Sequence, residues 1–447
     1  MIHSSSKVNI ADVEENRPRQ GAAETTSSMW YRFSQCLLLL LAICYILQIA
    51  SPLRINSDAL ILLSMGDSAA HGGNILFGGQ KTLFPPGYPL LLAILMRIGL
   101  AHSWAIIVLN LFFLSVGLYA AYSLLIREFF EDKAVVLLIC SFFLLSYVVV
   151  KHSTIPLTDV PFFGCSMCCL AVMSQTAKAK LSNRFVVLSI LACILVVGAL
   201  LIRRVGVALL PPLVFMMVSS PHFKSMLKRI SSQAKIVTVV ILAIACIGIA
   251  LVVAKTSTLV DFAGVEKNLG ISTLFIRILH YRLVEFGMLL GNCPILKMPV
   301  YLQNLTLWAG FVLSVLVFFG LVTRRRRIGP SEVYLVSYMG ILFIWPYADG
   351  RFWLPVIPLL IAYFVLAIER LRLPKIVTAT YCIIFATLGF AAIVYSTRIS
   401  FAGSAFPDRY GDGSLRSTYC AAFKTCQDSG DPSAINAEAL RLIRDYQ

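Results

Sequence analysis

Charge is what this chain has least of. Asp, Glu, Lys and Arg make up 13% of its 447 residues, about half the share of an ordinary soluble domain. A water-facing surface of normal polarity is therefore excluded. Acidic groups are the scarcer sign, 22 against 38 basic ones. Strict alternation of polar and apolar residues is also missing, which argues against a membrane β-barrel. No internal repeat and no matched pair of broken helices is visible, which weakens a transporter built from repeats. No small-residue cleavage site follows the first apolar block, so that block is expected to remain as a membrane helix.

Long apolar runs are present instead. Hydrophobic residues account for 58% of the chain, much of it in blocks close to the roughly 20 residues a helix needs to cross a bilayer core of about 30 Å. Only helices or closed barrels satisfy backbone groups in that solvent. The expected fold is an all-α polytopic membrane protein. About 11 transmembrane helices are placed near 34–51, 103–126, 134–150, 159–175, 185–202, 205–219, 236–254, 302–322, 331–346, 352–368 and 376–396. Residues 1–33 read as a disordered cytoplasmic tail, 34–396 as the membrane domain, and 397–447 as a short external C-terminal tail.

The net charge of +16 does not indicate nucleic acid, because the bases sit in short loops between apolar blocks. With the N-terminus cytoplasmic, the cytoplasmic loops hold 16 Lys/Arg in 47 residues and the external ones 12 in 112. That bias is the positive-inside pattern, and Arg324–Arg327 reads as a cytoplasmic anchor. Segments 52–101 and 255–301 become large external loops. Gly87–Arg97 follows Pro85-Pro86 and is too short to span. It reads as an external juxtamembrane helix lying in the interface.

Most of the 12 cysteines lie inside apolar blocks. Cys165-x-x-Cys168 reads as small core residues rather than half a metal site. Cys420 and Cys426 would suit a disulfide if the tail lies in an oxidising compartment, a pairing the sequence leaves open.

Ionisable residues gather at the external ends of the expected helices: Asp58, Lys81, Lys151, His152, Asp159, Arg203, Arg204 and Arg351. Several are basic on the side where bases are disfavoured. An anionic ligand at the outer leaflet would account for them.

The first external loop reads Ser57-Asp58-Ala59, Met65-Gly66-Asp67-Ser68-Ala69-Ala70-His71-Gly72-Gly73 and Phe84-Pro85-Pro86-Gly87-Tyr88-Pro89. It resembles the first extracytoplasmic loop of GT-C glycosyltransferases, in the glycosyltransferase family 39-like branch of protein O-mannosyltransferases, aminoarabinose transferases and Rgt-type enzymes. Thr158-Asp159-Val160-Pro161, Arg203-Arg204-Val205-Gly206 and Tyr347-Ala348-Asp349-Gly350-Arg351-Phe352-Trp353-Leu354-Pro355 resemble later pieces of the same pattern. The likeness covers roughly residues 30–396. Two departures stand out: Asp58 is followed by Ala59 where the family often has an Asp-Glu pair, and the sizeable external C-terminal domain of many relatives is replaced by about fifty residues.

The resemblance implies a polyprenyl-phosphate-sugar-dependent glycosyltransferase, moving a hexose or pentose to a glycan, lipid or protein acceptor at the outer face of a plasma (inner) membrane. In that reading Asp58 is the base that accepts the acceptor's proton, with Asp67 a competing carboxylate, and Asp159 orients the acceptor. Lys81, Arg203, Arg204 and Arg351 take the donor phosphate. His152, Tyr88 and Tyr347 are accessory. The alternative for Asp58 and Asp159 is helix N-capping. That for the bases is snorkelling to headgroups. A divalent cation is left open, with Asp159 or Asp58 as its ligand, and no other cofactor is implied. A transporter or lipid flippase, and an O-antigen ligase- or polymerase-like enzyme, are the competing functions.

Overall fold

The computed structural model describes residues 17–75, 77, 84–179, 182–221, 225, 271–294, 299–345, 347–410, 415–424 and 435–446. In chain order its helices are α1 (Arg17–Leu47), α2 (Ser57–Ala70), α3 (Gly87–Arg97), α4 (Ser103–Glu128), α5 (Lys133–Leu145), α6 (Tyr147–His152), α7 (Asp159–Ala177), α8 (Ser182–Ile202), α9 (Leu210–Ser219), α10 (Ile271–Leu290), α11 (Val300–Thr323), α12 (Pro330–Leu342), α13 (Ile357–Leu371), α14 (Lys375–Ser400), α15 (Phe406–Tyr410), α16 (Arg416–Phe423) and α17 (Ala437–Asp445). Short 3-10 turns fill Arg204–Leu209 and Gly350–Val356.

Seven stretches among the described residues are long and apolar enough to cross a membrane: Met29–Ala50, Ser103–Glu128, Asp159–Ala177, Asn183–Ile202, Leu302–Thr323, Gly350–Leu371 and Lys375–Ser400. Each falls on an expected span. The expected count of eleven is not reached, for three physical reasons and one of coverage. Segment 134–150 is two helices, because Ser146 turns the backbone out of the helical region (φ −61°, ψ 125°). Segment 205–219 begins as a 3-10 turn and continues as the ten-residue α9. Segment 331–346 is helical only as far as Leu342. Segment 236–254 lies outside the described residues.

The break at Ser146 frees backbone groups that must find partners away from water. Asn292 supplies them. Its Oδ1 accepts from the Tyr147 N–H (2.8 Å), and its Nδ2 donates to the carbonyls of Leu145 (3.0 Å) and Phe385 (2.9 Å). Asn292 itself sits at φ +54°, a conformation asparagine tolerates better than most residues.

The bundle closes on an aromatic-rich core that includes Phe143, Phe162, Phe163, Tyr334, Tyr338, Trp353 and Tyr363. Within 255–301, the segment read as a second external loop, α10 lies antiparallel against α11. A Cβ on Gly310 would collide with the Leu283 carbonyl, and one on Gly287 with that of Thr306. Only glycine permits that backbone approach.

A second core caps one end of the bundle. Leu53, Ile55, Leu60 and Leu63 pack with Tyr88, Phe406, Tyr419, Leu442 and Ile443. The described parts of 397–447, expected as a short external tail, form short helices that pack as a cap over α2. Tyr419 fixes it, its hydroxyl donating to the Leu53 carbonyl (2.8 Å) and accepting from the Ile55 N–H (2.9 Å). Buried Arg54 ties the same stretch to α14 through Ser396 and Ser400. Cys420 is disulfide-bonded, and Cys426 lies outside the described residues. At the chain's other end, α1 already begins at Arg17, within the stretch read as disordered.

Candidate active site

Five chain segments bring ionisable groups to the capped end of the bundle. The first is the start of α2. Asn56 caps it, its Oδ1 accepting from the Ala59 N–H at 2.8 Å. The capping role weighed for Asp58 is therefore filled by its neighbour but one. Asp58 is left to pair with Arg351, Oδ2 to Nη2 at 2.5 Å. The second segment is the turn before α13. There Asp349 meets Arg351 twice, through the Arg351 N–H (3.1 Å) and through Nε (2.9 Å). Arg351 is thus held between two carboxylates on different segments.

The third and fourth segments are the start of α7 and the end of α8. Asp159 opens α7 and is buried. Thr158 before it makes no side-chain cap bond, and the Asp159 carboxylate pairs with Arg203. The two acid–arginine pairs meet at Phe352. The guanidinium carbons of Arg203 and Arg351 each lie 5.3 Å from its ring centroid, within cation–π range. Tyr338 holds the turn from below, its hydroxyl donating to the Phe352 carbonyl at 2.6 Å.

His152, at the end of α6, is the fifth contributor. Its Nδ1 lies 2.7 Å from the Val148 carbonyl. A carbonyl only accepts, so Nδ1 carries the hydrogen and Nε2 is the acceptor of the neutral ring. Burial first and Lys151 second push its pKa down to about 4, against the pull of Asp349 and Asp159. The ring is neutral at physiological pH. Lys151 beside it is exposed.

Three carboxylates therefore share two guanidiniums in one cluster. The same region holds buried polar atoms without hydrogen-bond partners among the described residues: Ser146 Oγ, Arg282 Nε, Glu285 Oε1, Trp345 Nε1 and Arg351 Nε. The Arg351 Nε reaches ion-pair distance from Asp349 but not hydrogen-bond alignment. Buried donors and acceptors of this kind are costly unless a ligand or water completes them.

The other expected site residues fall as follows. Arg204, half-buried, opens the 3-10 turn after Arg203. Tyr347 is half exposed, with its ring edge-on to Trp345. Tyr88 is not at the cluster surface: it is fully buried, and its hydroxyl donates to Asn110 (3.2 Å), which in turn holds the Ser153 and Ile155 carbonyls. Asp67 is taken up by Arg441 (2.7 Å) and His71 (3.3 Å) at the far end of α2. Lys81 lies outside the described residues. No group of three His, Cys, Asp or Glu able to hold a metal occurs among the described residues, and both carboxylates considered as cation ligands face arginines.

Sequence reading missed Asp349 as a partner of Arg351, and missed Arg282 and Glu285 altogether. The last two form a fully buried ion pair on α10. The available signal was an Arg–Glu pair at i,i+3 on a helix that also carries Arg277 and His280, a pattern surface helices share, so nothing in the sequence pointed to a buried partner network.

No family model matches the chain, and no curated protein matches it. Among solved structures it is similar to ArnT from Cupriavidus metallidurans bound to undecaprenyl phosphate, at 15% identity and TM-score 0.46, over 89% of this chain and 69% of that one. It is also similar to the archaeal oligosaccharyltransferase AglB from Archaeoglobus fulgidus in complex with an inhibitory peptide and a dolichol-phosphate, at 15% identity and TM-score 0.47 over 89% of this chain. The chain spans 58% of that enzyme's length. Likeness at this level assigns no role to any residue.

Proposed function

We propose that the chain is a glycosyltransferase that moves a sugar from a polyprenyl-phosphate donor to an acceptor hydroxyl or amine at the extracytoplasmic face of a membrane. The observation that carries this reading is the Asp58–Arg351 contact, joined through Phe352 to the Asp159–Arg203 pair. Such a transfer asks for a base and a phosphate-stabilising cation side by side. Asp58, with its side chain about 29% exposed, is far more open than Asp159 at 2%, while Asp349, at 39%, sits on the Arg351 turn itself.

In the proposed step the acceptor nucleophile attacks the anomeric carbon and its proton passes to Asp58. The bond from that carbon to the phosphate oxygen breaks with inversion, and polyprenyl phosphate leaves. Arg351 offers its guanidinium to the growing phosphate charge as Asp58 becomes neutral, so one cation serves both charge states in turn. Arg203 and Arg204 add positive potential, and Asp159 fixes Arg203. Neutral His152 offers an acceptor for a sugar hydroxyl. The acceptor class (glycan, lipid or protein) and the choice of hexose or pentose stay open within this reading, as does a divalent cation.

Two features support the orientation. The basic turn Arg324–Arg327 follows α11 at the opposite end of the bundle, as a cytoplasmic end requires. The disulfide-bonded Cys420 lies in the cap at the site's end, which suits an oxidising compartment.

The test is transfer from radiolabelled polyprenyl-phosphate sugars in membranes. Asp58→Asn is expected to lower the rate about 10²–10⁴-fold, the usual worth of a general base, with the amount of folded protein unchanged. Equal rates in variant and parent would remove the assignment.

A further inference from the structure

Among the described residues, the loop that carries Asp349, Arg351 and Phe352 has no regular structure between the end of α12 and its 3-10 turn. Its position has to come from somewhere else. Arg282 on α10 donates through Nη2 to the carbonyls of Trp345 (2.7 Å) and Tyr347 (2.8 Å). Glu285, one turn on, accepts from Trp353 Nε1 at 2.6 Å. The two side chains also pair with each other. Together they grip the loop before and after Arg351 through three contacts, two of them to main chain. Phe286 packs edge-on against Trp353, with centroids 4.6 Å apart. The grip has a rigid base, because α10 is locked to α11 at Gly287 and Gly310.

We propose that the buried Arg282–Glu285 pair is the positioning device of the site. It sets where the 345–353 loop presents Arg351 to Asp58. The pair touches neither reacting group, so it acts through geometry alone. A buried ion pair adds little net stability over an apolar substitute, whereas misplacing a catalytic group by about 1 Å costs about a hundredfold in rate. A buried pair spent on one loop is accounted for by the second effect. The inference rests on the transferase reading for its kinetic arm and is independent of it for its structural arm.

The structural arm places a nitroxide on Ala348→Cys in a Cys36→Ser background, with the signal of the unmutated background subtracted. Glu285→Ala is expected to increase the label's mobility. Glu285→Gln, which keeps an acceptor oxygen for Trp353, is expected to leave the mobility as in the parent. The kinetic arm measures transfer per folded molecule. Glu285→Ala is expected to lower kcat about 30- to 100-fold with donor KM changed less than about threefold, and Glu285→Gln is expected to restore most of it. Unchanged label mobility in Glu285→Ala overturns the positioning role whatever the enzyme does. Loss of kcat in Glu285→Gln equal to that in Glu285→Ala also overturns it, because the charge rather than the grip would then matter. If Asp58→Asn retains transfer while the mobility change is seen, the transferase reading fails and the grip on the loop stands.

Discussion

Both ends of the bundle carry buried arginine–carboxylate chemistry, and they use it differently. At the end away from the cap, Arg324 donates to Glu332 at 2.7 Å, to the Glu128 carbonyl, and lies 3.9 Å over the Phe129 ring. Glu332 takes in addition the Gly329 N–H (2.7 Å) and the Tyr363 hydroxyl (3.0 Å). Glu128 receives Lys178 and Ser174. Both Glu332 oxygens are in use, and the network stitches α4, α11, α12 and α13 together. At the capped end two arginines are divided among three acids, and several buried polar atoms are left incomplete. One end is closed around ion pairs that use both Glu332 oxygens, although Ser331 Oγ next to them has no partner among the described residues. The other pairs its charges as well, but with three acids to two arginines, and it is this uneven sharing on which the proposed function rests.

Breaking the closed end sharpens this contrast most. Arg324→Met leaves Glu332 buried without its cation, and removing one partner of a buried pair costs about 3–5 kcal/mol. The expected result is a large fall in the thermal unfolding midpoint with transfer per folded molecule unchanged. If instead stability held and transfer fell, the two ends would not differ in kind.

A smaller effect comes from the open end. His152 titrates at about 4 in the folded chain, below its ordinary 6.5, because burial and Lys151 disfavour the charged ring. The unfolded chain takes up that proton first as pH falls. Stability from this residue is therefore complete above about pH 6.5 and is lost as pH drops toward 4. At about 1.4 kcal/mol per unit, the loss is at most about 3.5 kcal/mol. His152→Gln should flatten that part of the stability–pH curve, read by denaturation at a series of pH values. An unchanged slope would mean the ring is not held neutral in the fold.

Much of this was legible beforehand, for a physical reason. Apolar runs report burial in lipid directly, so the long helices could be placed to within a few residues, and charges at their ends pointed to the cluster. What could not be read was compensation. Ser146 breaks a helix because Asn292, over a hundred residues later, satisfies the freed backbone. Asp58 escapes capping because Asn56 takes that role, and either residue type caps well. Arg282 and Glu285 look like loop charges in one dimension and form a buried grip in three. Tyr88 looked like a site residue because of its motif, but its hydroxyl serves Asn110 inside the core.

The smallest expected effect tests the cap. Arg441 on α17 reaches Asp67 (2.7 Å), Glu438 (3.0 Å) and Asp445 (3.4 Å), yet its side chain is 43% exposed. Exposed pairs are worth about 0–1 kcal/mol and weaken with salt. By contrast Ala439, Leu442 and Ile443 on the same helix are buried against α2, and apolar burial of that kind is insensitive to screening. Arg441→Ala should therefore shift stability by less than about 1 kcal/mol at low salt, and the shift should vanish near 1 M, where the screening length is about 3 Å. A loss of several kcal/mol that persisted in salt would mean the capped end, too, is fastened by ion pairs, and the division of labour between the two ends would have to be redrawn.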